Sequence, residues 1–307
     1  MQKIILFILF VFGAAAGHTQ LPSICSGTLR RFEDFQSCYV SARNVDVWLP
    51  AGYDSVKKYN VLYMHDGQML YDSTVTWNHQ AWEVDDMITK LMHEGKIKDV
   101  IVVGIWNSGG SRHADYFPQK PFETLSQPEK DTVYAAGRAN GYPVFNNYKI
   151  HSDACLKFLV TELKPFIDSA FKTYTDRKHT FIMGSSMGGL ISMYAICEYP
   201  HVFGGAACLS THWPGIFTMQ NNPVPAAFIS YMKTHLPNPR THKIYFDYGT
   251  ETLDAMYPPL QAKADEVMRE KGYTKKNWLT KAFPGEDHSE KAWNKRLDIP
   301  LVFLLGK

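Results

Sequence analysis

Thr180-Phe181-Ile182-Met183-Gly184-Ser185-Ser186-Met187-Gly188-Gly189-Leu190 is the stretch whose reading decides the fold. The apolar residues Thr180–Met183 predict a short buried strand, and the apolar run from Leu190 to Tyr199, stopped by Pro200, predicts a helix. Between them stands G-x-S-x-G, with Ser186 at its centre and Ser185 at the variable position before it. A strand–turn–helix setting is what this motif requires: the turn is so tight that its flanking positions must be small. Gly184, Gly188 and Gly189 meet that demand, and the following helix would aim its amino end at negative charge developing beside Ser186.

Working outward, strands and helices alternate. Strands are expected at Val40–Leu49 (an early edge strand), Asn60–Met64, Asp99–Ile105, Gly204–Ser210, Lys243–Tyr248 and Trp278–Phe283, and helices at Trp82–Glu94, Ser152–Phe171, Leu260–Lys271 and Lys291–Leu297. Asp99–Ile105 is nearly continuous in β-branched residues, as in a strand buried on both faces. Pro165 is expected to kink its helix. This alternation predicts an α/β fold, a mostly parallel sheet covered on both faces. Residues 107–147, rich in Gly, Pro, Asn and aromatics, carry no steady period and read as a substrate-side insertion or lid. No internal repeat or linker is visible, so one domain is expected over residues 18–307.

The first 17 residues read as an export signal: Lys3, the apolar run Ile4–Phe12, then Ala14, Ala15 and Ala16. A secreted or periplasmic location follows as an expectation. The run is too short to span a bilayer, and no other segment is long and apolar enough. Ser23-Ile24 before Cys25 do not suit a lipoprotein signal. Export permits disulfides; Cys25 and Cys38 could pair, while Cys155, Cys197 and Cys208 sit in apolar stretches as buried thiols. No Cys/His spacing suits zinc, and no cofactor or metal is expected. With 32 Lys+Arg against 30 Asp+Glu, and no dense basic run, nucleic acid is not an expected partner. The 7 Trp and 17 Tyr favour a small organic or carbohydrate-linked substrate.

A serine hydroxyl becomes nucleophilic through a base that is itself oriented. In strand–elbow–helix enzymes the chain order is Ser, acid, His. Of the later histidines only His288 sits in a loop directly after a late strand, within Phe283-Pro284-Gly285-Glu286-Asp287-His288-Ser289. The acid belongs in the loop Gly249-Thr250-Glu251-Thr252-Leu253-Asp254. Asp254 is the first choice, for its shorter side chain and deeper place, with Glu251 as the alternative; Asp247 lies too early, inside the strand. The oxyanion donors are expected at the Met187 amide and, after the strand at 60–64, at the Gln68 amide beside Gly67. Asp66 reads as a residue that fixes this loop rather than a metal ligand. Within 107–147, Arg112 and Tyr116 are the candidates for substrate contact, each with the alternative of merely covering the sheet.

These residues together carry a family likeness. Arg43-Asn44-Val45-Asp46-Val47-Trp48-Leu49-Pro50, Tyr63-Met64-His65-Asp66-Gly67-Gln68, Gly184–Gly189, Gly249-Thr250-Glu251 and the Asp287-His288 loop resemble the esterase D and enterochelin-esterase-like branch of the α/β-hydrolases, which includes feruloyl and acetyl-xylan esterases and mycolyltransferases. The resemblance implies an α/β-hydrolase fold, Ser186 as nucleophile, His288 as base, and the Gln68 and Met187 amides as oxyanion hole. In that family the acid follows the strand-ending Gly-Thr at a variable place. Here Thr252 stands three after the Gly, which leaves Asp254, Glu251 or a Ser–His dyad open. The implied activity is hydrolysis of acetyl, feruloyl or siderophore-type esters. The alternatives are acyl transfer through the same site, or a non-catalytic ligand-binding relative.

Overall fold

The computed structural model describes residues 20–307, so the segment read as an export signal lies outside the described residues. The chain builds one eight-stranded sheet. Its strands are β1 (Thr28–Phe35), β2 (Arg43–Leu49), β3 (Asn60–His65), β4 (Val100–Ile105), β5 (Thr180–Ser185), β6 (Gly205–Leu209), β7 (Lys243–Gly249) and β8 (Trp278–Phe283), in the order β1-β2-β4-β3-β5-β6-β7-β8. β1–β2 and β2–β4 pair antiparallel; every later pair is parallel. The predicted α/β-hydrolase sheet is thus present.

Alternation along the strands divides the core into two layers. Val61 and Tyr63 of β3, Val103 of β4 and Ile182 of β5 face one side; Leu62, Met64, Val102, Phe181 and Met183 face the other. One layer is closed by α1 (Val84–His93), α10 (Glu290–Asn294) and α11 (Asp298–Leu305), through Ile88, Leu91, Trp293, Leu301 and Leu304. The other is closed by α2 (Arg112–Tyr116), α3 (Gln119–Glu123), α4 (Gln127–Tyr134), α5 (Ser152–Phe158), α6 (Lys164–Ala170), α7 (Met187–Glu198), α8 (Val224–His235) and α9 (Pro258–Glu270). α7 is apolar all round, with all but its last residue buried, because it lies between the sheet and the outer helices.

Four expectations change. The edge strand is β1, not the 40–49 segment. Residues 107–147 are not a structureless lid: they form α2, α3 and α4, short helices whose length hides any period. The aromatic rings of Phe117, Phe122, Tyr134 and Phe145 pack edge to face there, with centroids 5.3–5.9 Å apart. The helix expected over 152–171 is split by a π-helical turn at Leu159–Leu163, directly before Pro165, whose missing N–H and ring cannot continue an i→i−4 ladder. Cys25 and Cys38 are separate free thiols. The Cys25 amide donates to Asp85 Oδ2 (2.6 Å) and the Cys38 amide to Glu162 Oε1 (3.0 Å); between them runs β1, whose 8 residues hold them about 26 Å apart along the strand. Cys155, Cys197 and Cys208 are buried thiols, as expected.

Candidate active site

The parallel strands end together at one edge of the sheet, and every residue expected to do chemistry lies on the loops that leave it. β5 runs straight into α7 through Ser186, whose backbone sits at φ 56°, ψ −122°. Such a conformation costs a non-glycine residue about 1–3 kcal/mol and persists only where the surroundings fix it. Here the Ser186 N–H donates to the Leu209 carbonyl (2.9 Å), and its own carbonyl accepts from Leu190 (3.0 Å) and His212 (3.2 Å). The glycines behave as the tight turn demands. A Cβ on Gly184 would stand 2.7 Å from the Gly188 carbonyl carbon, and one on Gly189 would stand 3.0 Å from the Leu209 oxygen. Ser186 opens onto a cavity of about 490 Å³ whose wall includes Gln68, Arg112, His288 and three tryptophans, Trp77, Trp82 and Trp293. The Met187 amide lies in the first turn of α7, where a helix has no preceding carbonyl to occupy its N–H groups. Gln68 follows Gly67, which packs so closely on β4 that a Cβ would meet the Gly104 carbonyl carbon at 2.6 Å.

His288 stands on the loop after β8 and lines the same cavity as Ser186. Its backbone N–H donates to Thr252 Oγ1 (3.0 Å), and its Nδ1 lies 2.5 Å from Asp254 Oδ1. The ring packs edge-on against Trp293 (5.1 Å) and Tyr257 (5.9 Å). Asp254 is fully buried, and its other oxygen accepts from Ser210 Oγ (2.6 Å) and the Gly249 N–H (2.6 Å). Glu251, the alternative acid, is exposed; its Oε1 accepts from Thr250 Oγ1 (3.4 Å), and no hydrogen bond joins it to His288 among the described residues. Asp247 serves elsewhere, as an ion-pair partner of Arg296 (2.9 Å).

Behind Asp254 lies a buried polar chain that the sequence did not reveal. Ser210 Oγ, while donating to Asp254, accepts from Trp293 Nε1 (2.9 Å) and Arg296 Nη2 (3.0 Å). Arg296 is held in turn by Asp247, which also accepts from the Tyr245 hydroxyl (2.9 Å). Tyr257 and His212 were likewise missed. The Tyr257 hydroxyl lies 2.8 Å from His212 Nδ1 and close to the Ser186 side chain. Burial pushes the His212 imidazole well below its usual pKa, so that ring is neutral. Nothing in a single sequence singles out a tyrosine 71 positions after its serine; only the turn between β7 and α9 brings it there.

Asp66 fixes its loop, as read from the sequence. Arg112 holds it in a bidentate pair (2.6 and 2.7 Å), and Asn107 Nδ2 adds a third bond (2.7 Å). Burial acts to raise the Asp66 pKa, but Arg112 and Asn107 override it and leave the carboxyl below its ordinary value. Arg112 therefore reaches the cavity already paired. Tyr116 does not line it: at 1% exposure it stands behind Asp66, its hydroxyl taking the Asp66 N–H (3.4 Å), and it is a packing residue rather than a substrate contact. Of the 107–147 segment only Asn107 and Arg112 reach the cavity. Its wall is completed instead by Trp77, Asn78, Gln80 and Trp82 from the stretch before α1.

Comparison with known proteins agrees with this architecture. The family described as "Putative esterase" matches residues 40–299. The uncharacterized protein YbbA of Bacillus subtilis is 22% identical over 273 residues, covering 86% of this chain and 93% of that one. A ferulic acid esterase from Anaeromyces mucronatus superposes with a TM-score of 0.60 at 20% identity, over 93% of this chain and 92% of that one. An enterochelin esterase from Shigella flexneri superposes at 0.62 and 16% identity, over 91% of this chain and 60% of that one. The chain belongs to the esterase family and is a carboxylic ester hydrolase with the α/β-hydrolase fold.

Proposed function

We propose that the protein hydrolyses carboxylic esters through an acyl-enzyme on Ser186. Ser186 Oγ attacks the ester carbonyl while His288 Nε2 takes the hydroxyl proton. Asp254 accepts the His288 Nδ1–H and so keeps Nε2 free as the base. The tetrahedral oxyanion lies at the Met187 and Gln68 amides. His288 then returns the proton to the departing alkoxide, and the alcohol leaves. Water, deprotonated by His288, attacks the acyl-enzyme and releases the acid. The observation that carries this reading is the convergence on one cavity of a strained Ser186 at a helix amino end and a His288 whose Nδ1 is bound to a buried carboxylate.

The substrate reading rests on the cavity. Trp77, Trp82 and Trp293 offer flat apolar walls, and about 490 Å³ holds an aryl or short acyl group. Trp77, with 83% of its surface exposed, also borders a second cavity of about 400 Å³ that contains Trp106 and Arg31. We assign that second cavity to the alcohol half of the ester, an organic group such as a sugar that stacks on Trp77. Feruloyl and acetyl esters of carbohydrate are therefore the first substrates to test. Water as acceptor, rather than a sugar, is favoured by the polar, charged loop Ser289-Glu290-Lys291 beside His288. Turnover of 4-nitrophenyl acetate and methyl ferulate by the wild type and by Ser186→Ala tests the proposal. Hydrolysis that survives the substitution would overturn it, and new ester in place of free acid, with glycerol added, would replace hydrolysis by transfer. Export, proposed from residues 1–17, is checked by the mass of the mature protein; an intact amino terminus would refute it.

A further inference from the structure

At the end of the sheet opposite Ser186 lies a further cavity, larger than either of these, of about 880 Å³. It is set among the segments that lead into the parallel strands. Lys98 precedes β4, Arg177 and Lys178 precede β5, Arg240 and Lys243 bracket the entry to β7, and Lys276 precedes β8. All six cations line the cavity, and no Asp or Glu among the described residues does. In a chain with 32 basic and 30 acidic residues, composition alone does not produce such a one-signed wall.

The six charges are close enough to act on one another. Taken as a sphere, the cavity has a radius of roughly 6 Å, shorter than the screening length of about 8 Å at physiological ionic strength, so charges on neighbouring parts of its wall interact. Among the described residues Lys98, Arg177, Lys178, Arg240 and Lys276 form no ion pair. Arg177 Nε is shielded from solvent with no hydrogen-bond partner. Lys243 has only the Phe303 carbonyl (3.2 Å) and the Phe303 ring. Burial first, and then the Lys98 charge, lowers the Lys243 pKa, as expected in a positive local field. Gathering unpaired cations in a concave wall raises the free energy of the empty protein, and a bound anion relieves it.

We propose that this cavity binds a compact ligand carrying several oxyanion groups, an oligophosphate or a short acidic oligosaccharide. The guanidinium groups of Arg177 and Arg240 supply planar paired donors, and the four lysines supply point charges. Other polyanions fit less well. Among the described residues no exposed aromatic ring lines the cavity for base stacking, which single-stranded nucleic acid uses, and its concave wall does not suit a flat bilayer surface. β5, with 6 residues, sets about 20 Å between this site and Ser186, so binding here is separate from ester hydrolysis.

Calorimetric titration of the full chain with tripolyphosphate, with trigalacturonate and with neutral maltotriose tests the assignment. At least one of the two anions should bind, and maltotriose should not. Affinity should fall about tenfold or more between low and physiological ionic strength. Arg240→Gln/Lys276→Gln, both on the exposed rim, and separately Arg177→Gln should each weaken binding about tenfold or more while 4-nitrophenyl acetate turnover is unchanged. The tighter anion identifies the source, and equal affinities would mean that charge alone is recognised. No binding by either anion at low ionic strength, binding that ignores salt, or variants that bind as the wild type does would overturn the proposal.

Discussion

Replacing Asp254 by Asn isolates the part that the buried carboxylate plays. Its Oδ2 faces two donors: the Gly249 N–H, whose direction the backbone fixes, and the Ser210 hydroxyl, whose own oxygen already accepts from Trp293 and Arg296. The asparagine carbonyl must therefore take the Oδ2 place, and its NH2 then faces His288 Nδ1, 2.5 Å from the present Oδ1. Two N–H donors cannot face each other, so the imidazole must carry its proton on Nε2, the tautomer unable to accept from Ser186. Where a serine–histidine–carboxylate site is altered in this way the loss in kcat is about 10⁴, which corresponds to about 5.5 kcal/mol in the barrier. Folding stability should change far less, by about 1–3 kcal/mol, because shape and two of the three hydrogen bonds persist. Steady-state kinetics on 4-nitrophenyl acetate, beside thermal melts, gives both quantities. A loss below about tenfold in a folded variant would show that Asp254 does not set the His288 tautomer.

Three further perturbations follow. Gly184→Ala places a Cβ 2.7 Å from backbone atoms of Gly188, so the elbow must open; melting should fall by several degrees and turnover by more than tenfold, and a variant normal in both would refute the steric argument. Trp77→Ala should leave 4-nitrophenyl acetate hydrolysis within about twofold but raise KM for a feruloylated oligosaccharide about tenfold, from the loss of one stacking platform; equal loss on both esters would remove Trp77 from the alcohol site. Acid should destabilise the fold before most carboxylates titrate. Burial lowers the His65 pKa to about 4 and the His113 pKa to about 3, below the unfolded value of about 6.5, so between these values the unfolded chain binds the extra protons. Each ring therefore removes about 1 kcal/mol per pH unit as pH falls from about 6 to 4.5. His151, raised by Asp115, opposes this with the reverse sign. Urea titrations across that range should show the decline, and His65→Phe should flatten it; stability independent of pH there would contradict the account.

What the sequence disclosed and what it hid divide along physical lines. β4 and β5 depart from the residues expected only at their ends, because strands buried on both faces must be continuously apolar, and β8, a partly exposed edge strand, is found at the residues expected. β1 escaped notice because it is an exposed edge: Thr28–Phe35 carries Arg30, Arg31, Glu33 and Asp34 in eight positions. α11 was hidden for the opposite reason, since Asp298–Leu305 is nearly all apolar and no helical period can show. At the site, the elbow and the His288 loop were legible because a strand-ending serine and a loop histidine are marked by local context. Asp254 and Glu251 stand three residues apart in one loop, and only the 3-10 turn Thr252–Met256 carries Asp254 inward while Glu251 stays exposed. Ser210, Arg296, Tyr257 and His212 reach the site only through the tertiary fold, and a sequence pattern has no term for that. The placing of Tyr116 failed because α2, although next to the cavity, turns Arg112 toward it and Tyr116 into the core.

The central claim is a covalent ester on Ser186, and the most direct measurement is mass spectrometry of the enzyme quenched in acid during turnover of 4-nitrophenyl acetate. The account predicts an acetyl increment on the peptide that contains Ser186, absent in Ser186→Ala and accumulating when His288 is replaced by Gln to the extent that acylation still occurs. An unmodified Ser186 peptide during rapid turnover, or an acyl group on another residue that persists in Ser186→Ala, would contradict it.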